Sequence, residues 1–518
     1  METELKLLLD PADVAAFRRH PLLKEHAIAR LRQQQLTSIY FDTPDLYLRR
    51  HDAALRVREA SERGGHIHHY WVQTLKAGGQ VVAGLHQREE WESRVEGPRP
   101  ELAALIALVG PGSSWAELLA TRALAERLVP IFTTRVRRTT WLLRLPQGGE
   151  VELALDQGEV RHGAARLPIS EIELELKSGD AARLFDFVLA LLETLPLRVC
   201  NISKAERGYA LQAPPPPAAV EASRLDLPPG LTVEQGFLAI IGNCLAQVQG
   251  NEAGVAQGGD PESVHQMRVG LRRLRSALGL FGKVAPCPAV LRQELVWLAS
   301  ELGAARDWEV FAGDTLGQVA AARPEQAQWA PLRQAAFDAA RKNRQVAAAA
   351  VASVRYTRLL LCLGGWLQGA RWRDALAAPG QEALAAPLTL FAKQALARRH
   401  HTLKKRARRL RGATPRARHQ VRIAAKNLRY AAGFFQSLCR ANRLRPYVAA
   451  LADLQAALGW LNDASVADRL LRRLGRTHPE LARGTRFVRG YLLARSERKV
   501  RKLGKPWQRF AQFRPVLR

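Results

Sequence analysis

Glu2, Glu4 and Lys6 alternate at the start of the chain. Side chains on a strand point to one face every second residue, so an extended segment puts all three on the same face. Glu171, Glu173 and Glu175 repeat the arrangement in SEIELELK, as do Glu152 and Asp156 in EVELALD. Basic residues alternate too: Arg56 and Arg58 in LRVRE, and Arg135 and Arg137 with the offset Arg138 in TTRVRRTTW, while Lys76 and Lys204 stand singly near expected strand ends. One such strand reads as a solvated face, where charge runs usually lie. Three acidic strands beside basic ones point instead to a wet interior, because unpaired buried charge is very costly. Carboxylate oxygens suit hard divalent cations such as Mg²⁺ or Mn²⁺, and Arg and Lys match phosphate oxygens, Arg with bidentate geometry. The implied substrate is a metal-complexed polyanion.

A second constellation lies further on. VHQMRVGLRRLRSALGLF, from Val264, and RHQVRIAAKNLRYAAGFF, from Arg418, align through His265 and His419. His265, Arg268, Arg272 and Arg275 follow spacings of three, four and three, and His419, Arg422, Lys426 and Arg429 repeat them. On a helix each set forms one cationic stripe, with Leu271, Leu274, Leu278 and Phe281, and Leu428 and Phe435, on an adjoining apolar face. Asp307 in LGAARDWEVF and Asp463 in LGWLNDASVA follow the two histidines at similar distances, which an internal duplication explains. Neither histidine has a second ligand at i+4, and the surrounding arginines repel cations, so the stripes suit an anion. The run ARRHHTLKKRARRLRG, with His400, His401, Lys404, Lys405 and Arg408, either extends such a track or is a solvated basic helix.

The elements that must carry these residues differ between the two parts of the chain. Up to about residue 212, short alternating runs separated by GG, QGG and DQG predict an antiparallel sheet or barrel. Two helices interrupt it, near Pro11–Arg19 and Ala181–Glu193. Beyond Pro214–Pro217, apolar residues recur at three and four positions through Ala-, Leu- and Arg-rich stretches, which predicts an all-helical region. The expected class is α+β in two domains, residues 1–212 and 231–515, joined by a proline-rich linker at 213–230. The helical domain divides into repeats at about 231–375 and 385–515. Residues 1–212 hold 28 basic and 28 acidic residues, so the whole net charge of +30 belongs to the rest. Five scattered cysteines without metal-ligand spacing argue against a disulfide framework or structural zinc. The absence of a signal-like start or a long apolar run argues against secretion and membrane spanning, so a cytoplasmic protein is expected.

The N-terminal residues resemble a known family. E-x-E-x-K at Glu2, Glu4 and Lys6 looks like the signature of CYTH domains, the triphosphate tunnel metalloenzymes. YFDTPDLYLRRHDAALRVRE, TLKAGG, GLHQREEW, VELALDQGEV, SEIELELKSGD and SKAERGY resemble its successive strands in the inorganic triphosphatase branch. The resemblance implies an eight-stranded antiparallel tunnel that cleaves inorganic triphosphate with Mg²⁺ or Mn²⁺. It implies Glu2, Glu4 and Lys6 as catalytic residues and Glu2, Glu4, Asp156, Glu171 and Glu173 as metal ligands, with Glu175 an alternative to Glu171. Phosphate would be held by Lys6, Arg56, Arg58, Lys76, Arg138 and Lys204. Arg135 is kept beside Arg138, because the register of that strand is open, and Arg88 is a further candidate. H-x-x-R-x-x-x-[RK]-x-x-R, occurring twice, is similar to the CHAD domain, a duplicated helical bundle. That resemblance implies inorganic polyphosphate on the basic surface, contacted by His265, Arg268, Arg272, Arg275, His419, Arg422, Lys426 and Arg429, and association with polyphosphate granules.

Charge alone does not separate polyphosphate from nucleic acid, since both bind through phosphates. Stacking platforms need aromatics beside basic residues, and the stripes offer few beyond Tyr430, which disfavours RNA and DNA. Three alternatives to the enzyme remain: a polyphosphate-binding protein with a weak tunnel, then the less favoured RNA-binding protein and adenylate cyclase, the last of which would need an adenine pocket that the sequence does not reveal.

Overall fold

The computed structural model describes all residues except 63–68, 111, 147, 213–217, 259, 323–328, 409 and 518. The prolines of the expected linker, Pro214–Pro217, lie outside the described residues. The chain forms two compact units: residues 1–217 with 353–371, and residues 218–352 with 372–518. Among the described residues no single helix is long and apolar enough to cross a membrane.

In the first unit the alternating runs form nine strands: β1 (Glu2–Leu8), β2 (Arg32–Asp42), β3 (Ala53–Glu62), β4 (His69–Val82), β5 (Leu85–Val95), β6 (Val129–Arg144), β7 (Glu150–His162), β8 (Ala165–Ser178) and the short β9 (Arg198–Val199). Their order is β5-β4-β3-β2-β6-β7-β8-β1-β9, and a further β5–β1 pairing closes eight of them into an antiparallel barrel. Closure removes the exposed edges that an open sheet would present. At the irregularity between β4 and β5, Gly79 has φ +102°, and a Cβ there would lie 2.1 Å from the Gln87 carbonyl oxygen, so the bend requires glycine.

Apolar residues outside the tunnel pack against short helices. Leu55, Val57 and Leu75 join Leu105 and Leu119 on one side. Tyr40 stacks on Phe132 at 4.4 Å, and Phe132 meets Tyr209 edge-on at 5.2 Å, on the side covered by the helix Lys204–Gln212. SKAERGY, expected as the last strand, is therefore the start of a helix. The helix Val354–Gln368 belongs to this unit as well, although its sequence periodicity placed it in the first helical repeat. It packs on Ala182–Leu191, and Gly364 makes the approach possible, since a Cβ there would lie 2.2 Å from the Phe185 ring.

The second unit is helical. Its two basic helices start by the same local rule. Asp260 accepts hydrogen bonds from the Glu262 and Ser263 amides ahead of Pro261–Phe281, and Thr414 accepts one from the Ala417 amide ahead of Pro415–Phe434. In both, proline follows the cap, where its missing N–H costs nothing. Leu271, Leu274, Leu278 and Phe281 are buried on one helix, and Val421, Leu428 and Phe434 on the other. Full burial of each such side chain contributes about 1.5–3 kcal/mol. With the apolar stripe packed inward, the cationic stripe is left facing outward.

Candidate functional site

The barrel encloses a cavity of about 430 Å³. β1 turns Glu2, Glu4 and Lys6 into it, while the alternating Leu5 and Leu7 are fully buried on the other face. Pairing sets what faces what: Lys6 lies opposite Glu173 and Glu4 opposite Glu175 across β1–β8, and Arg138 lies opposite Asp156 across β6–β7. The Arg138 guanidinium donates to both Asp156 oxygens at 2.8 and 2.6 Å, and to Glu173 at 2.6 Å. Lys6 Nζ lies 2.6 Å from Glu173 and 2.9 Å from Glu4. Lys204 reaches in from the N-terminus of its helix and places Nζ 2.6 Å from Asp156 and 3.0 Å from Glu173, also in contact with Glu171. Arg207, one turn on, pairs with Glu171. On the facing wall Lys76 bridges Glu2, Glu4 and Glu90, and Arg56 lies 3.8 Å from Glu90.

Burial acts to raise Glu2, Glu4, Asp156 and Glu173, and neighbours decide the outcome for each. For Asp156, Arg138 and Lys204 overcome burial and hold the group at about 2. Burial also raises Glu4, but Lys6 and Lys76 bring it to about 2. Glu173, among Lys204, Lys6 and Arg138, lies well below the usual carboxylate range despite its burial. Glu2 behaves differently: burial, aided by Glu4 and Glu90, wins over Lys76 and pushes it to about 7. Burial, with Arg56 and Arg138 close by, draws Arg58 down to about 10. The wall near Arg58 thus carries positive charge that carboxylates do not fully balance, which favours an anion.

One oxygen each from Asp156, Glu171 and Glu173 lies within 4.8 Å of the others. An all-oxygen set of this kind is what a hard divalent cation takes, so the residues present fit a metal. The Lys204 ammonium rests on these same three carboxylates, so lysine and cation compete for one place.

In the second unit a larger cavity, about 1130 Å³, opens between the two basic helices. His265, Arg268, Arg272 and Arg275 line it from one helix, and His419, Arg422 and Lys426 from the other. Burial first, then Arg272, Arg422 and Arg268, draws Lys426 down to about 8. Arg268 and Arg422 are lowered as well, by burial and by like-charged neighbours. Acidic partners are few and sit in the wall: Asp307 lies 3.7 Å from Arg268 and 3.3 Å from Arg469, linking the two repeats. His419 Nδ1 is 3.3 Å from the Asn462 side-chain oxygen.

Most of the residues expected from sequence converge on these two cavities; Asp156 and Glu171 lie fully buried behind the tunnel lining, in the acidic group with Glu173, and Arg135 and Arg429 lie elsewhere. Arg135 is exposed on the outside of β6, opposite Glu159, because three residues separate it from the inward Arg138 and strand faces alternate by two. Arg429 is exposed and donates to Gln455 at 3.1 Å, drawn aside by the helix Ala441–Thr477, and it does not line the basic cavity. Glu175 sits near the tunnel mouth, 2.7 Å from Lys177, while Glu171 lies in the buried acidic group. The run after Ala397 does not form a uniform track: His400 is buried, bonded to the Tyr447 hydroxyl at 2.9 Å, and Lys404 donates to the Ala511 carbonyl. The further candidate Arg88 lines the tunnel from β5 together with Glu90 and Glu92, which the sequence reading missed and which the R-x-E-x-E alternation would have found. Arg306, Arg399 and Arg469 line the basic cavity without any repeat to mark them.

Comparison with known proteins agrees with this architecture. The CYTH domain family matches residues 1–209 and the CHAD domain family residues 239–472. An inorganic triphosphatase from Haemophilus influenzae is 36% identical over 219 residues, which are 40% of this chain and 54% of that protein. The chain thus spans about half the length of that curated relative. The crystal structure of the CHAD domain from the plant Ricinus communis is similar with 40% identity and a TM-score of 0.53, covering 57% of this chain and 98% of that one. The chain carries an N-terminal CYTH domain and, through its helical unit, belongs to the CHAD family.

Proposed function

We propose that the tunnel hydrolyses inorganic triphosphate to pyrophosphate and phosphate with Mg²⁺ or Mn²⁺, and that the helical unit binds inorganic polyphosphate. The observation that carries the reading is the tunnel itself, where buried carboxylates and a set of Arg and Lys residues face one cavity. Likeness to an inorganic triphosphatase, and the CYTH match over residues 1–209, support it. Arg56, Arg58, Lys76 and Arg138 are placed to hold phosphate oxygens and to stabilise charge moving to the leaving pyrophosphate. Asp156, Glu171 and Glu173, with Glu2 and Glu4, would hold the divalent cation, which supplies further positive charge to the phosphate oxygens when bound. Glu2 and Glu4, beside the bound cation, would also orient the attacking water. Lys6 and Lys204 neutralise the acidic wall in this structure and are free to exchange onto phosphate oxygens as substrate enters. No covalent nucleophile is required.

For the helical unit, support comes from the size of the basic cavity and the scarcity of acids in it. The same reading places the protein in the cytoplasm at polyphosphate granules, which a fluorescent fusion would locate. The deciding experiment is phosphate release from triphosphate, pyrophosphate, ATP and long polyphosphate with each metal. Glu4→Gln should abolish release from triphosphate and leave polyphosphate retention intact. Equal loss of both would refute the two-site reading.

A further inference from the structure

Beside the basic cavity lies a second, smaller one of about 140 Å³, with Trp460, Tyr491 and Arg495 in its lining. The two adjoin: Val310, Asp314, Thr315 and Asp463 line both. Asp314 and Thr315 come from a turn of π-helix, Phe311–Thr315, a widened turn often found at functional sites. The Arg495 guanidinium lies 5.5 Å from the Trp460 ring centroid and 5.8 Å from that of Tyr491, and donates to the Tyr491 hydroxyl at 2.8 Å. Lys499 is 5.8 Å from the same Trp460 ring. The guanidinium is thereby held beside the Trp460 ring by its hydrogen bond to the Tyr491 hydroxyl, which makes a fixed planar surface for stacking.

Packing alone accounts for cation and ring contacts. It leaves unexplained why a shelf of aromatic and guanidinium planes borders a cavity of its own, next to the large basic cavity. We infer that this shelf binds the base of a purine nucleoside polyphosphate, whose phosphate tail enters the basic cavity toward Arg422 and Lys426. Volume limits the occupant to about one base, and one shelf serves a mononucleotide better than a strand, which needs successive platforms. Asp314 and Asp463 offer acceptors to the exocyclic amine of a purine. Placement of the tail rests on reading the basic cavity as a polyphosphate site; placement of the base does not.

The test is photolabelling of the full chain with 8-azido-ATP, followed by peptide mapping. Label is expected on peptides containing Trp460 or Tyr491, suppressed by excess ATP and by long polyphosphate. Trp460→Ala and, as a milder change at the cavity edge, Arg495→Gln should each weaken labelling about fivefold or more, with triphosphate turnover in the tunnel unchanged. Label confined to tunnel peptides, or label at the shelf that neither variant reduces, overturns the inference. Polyphosphate retention without shelf labelling overturns it while leaving the cavity's assignment standing. Shelf labelling in a chain that retains no polyphosphate upholds the base site and removes the cavity reading alone.

Discussion

Lys204→Met tests the electrostatics of the tunnel most directly. The Lys204 ammonium touches three carboxylates, of which Asp156 and Glu171 are fully buried and Glu173 nearly so. Asp156 falls from its ordinary 3.8 to about 2 because Arg138 and Lys204 outweigh burial, which corresponds to about 2–3 kcal/mol of stability. Removing the lysine leaves Asp156 its Arg138, Glu173 its Arg138 and Lys6, and Glu171 its Arg207. Each acid therefore keeps a partner, so the cost should fall at the low end of that for breaking a buried pair, about 3 kcal/mol at neutral pH. The pH dependence follows from the sign. A carboxylate with a lowered folded pKa stabilises the protein above its unfolded pKa, and that contribution is lost as pH falls through the folded value. The destabilisation by Lys204→Met should thus be full at pH 7 and shrink between about pH 4 and pH 2. Hydrogen exchange resolved to the β7 and β8 peptides measures local opening without assuming that a two-unit chain unfolds in one step. Unchanged exchange at pH 7 would refute the reasoning, as would a loss of equal size at pH 7 and pH 3, which would indicate packing and not charge.

Reversing charge at Arg268 and Arg422 should weaken polyphosphate retention about tenfold or more and flatten its salt dependence, with triphosphate turnover unchanged; filter retention across a salt series checks this. Because Lys426 is charged below about 8 and neutral above, retention at fixed ionic strength should fall from pH 7 to pH 9, and Lys426→Arg should flatten that fall. Gly364→Leu should drive a side chain into the Phe185 ring, costing about 1–3 kcal/mol and raising exchange in Ala182–Leu191 and Val354–Gln368. Unchanged exchange there would mean that this helix does not depend on close packing.

Much of the tunnel is legible in the sequence because alternation is a local property. Glu2, Glu4 and Lys6, Arg56 and Arg58, and Glu171 and Glu173 announce their shared faces by spacing alone. The same rule applied strictly to β6 would have separated Arg135 from Arg138, and applied to β5 would have secured Arg88 and added Glu90 and Glu92. Lys204 was recognised, but its element was not, since SKAERGY carries no period that distinguishes a strand from a single helical turn. Arg429 repeats the spacing of Arg275 and yet leaves the cavity, because its competitor Gln455 lies 26 residues away in sequence.

By itself the sequence determined the division into a charge-balanced strand region and a strongly basic helical one, the duplicated stripe, and the faces on which the acids and bases lie. These follow from the periods of strand and helix, which act over a few residues. Only the tertiary structure decided that Lys204 neutralises Asp156, Glu171 and Glu173, that Glu2 remains undercompensated, that residues 353–371 join the barrel unit, and that Trp460, Tyr491 and Arg495 meet beside the basic cavity. Charge compensation and stacking depend on distances through space between segments remote in the chain, and no local period encodes them.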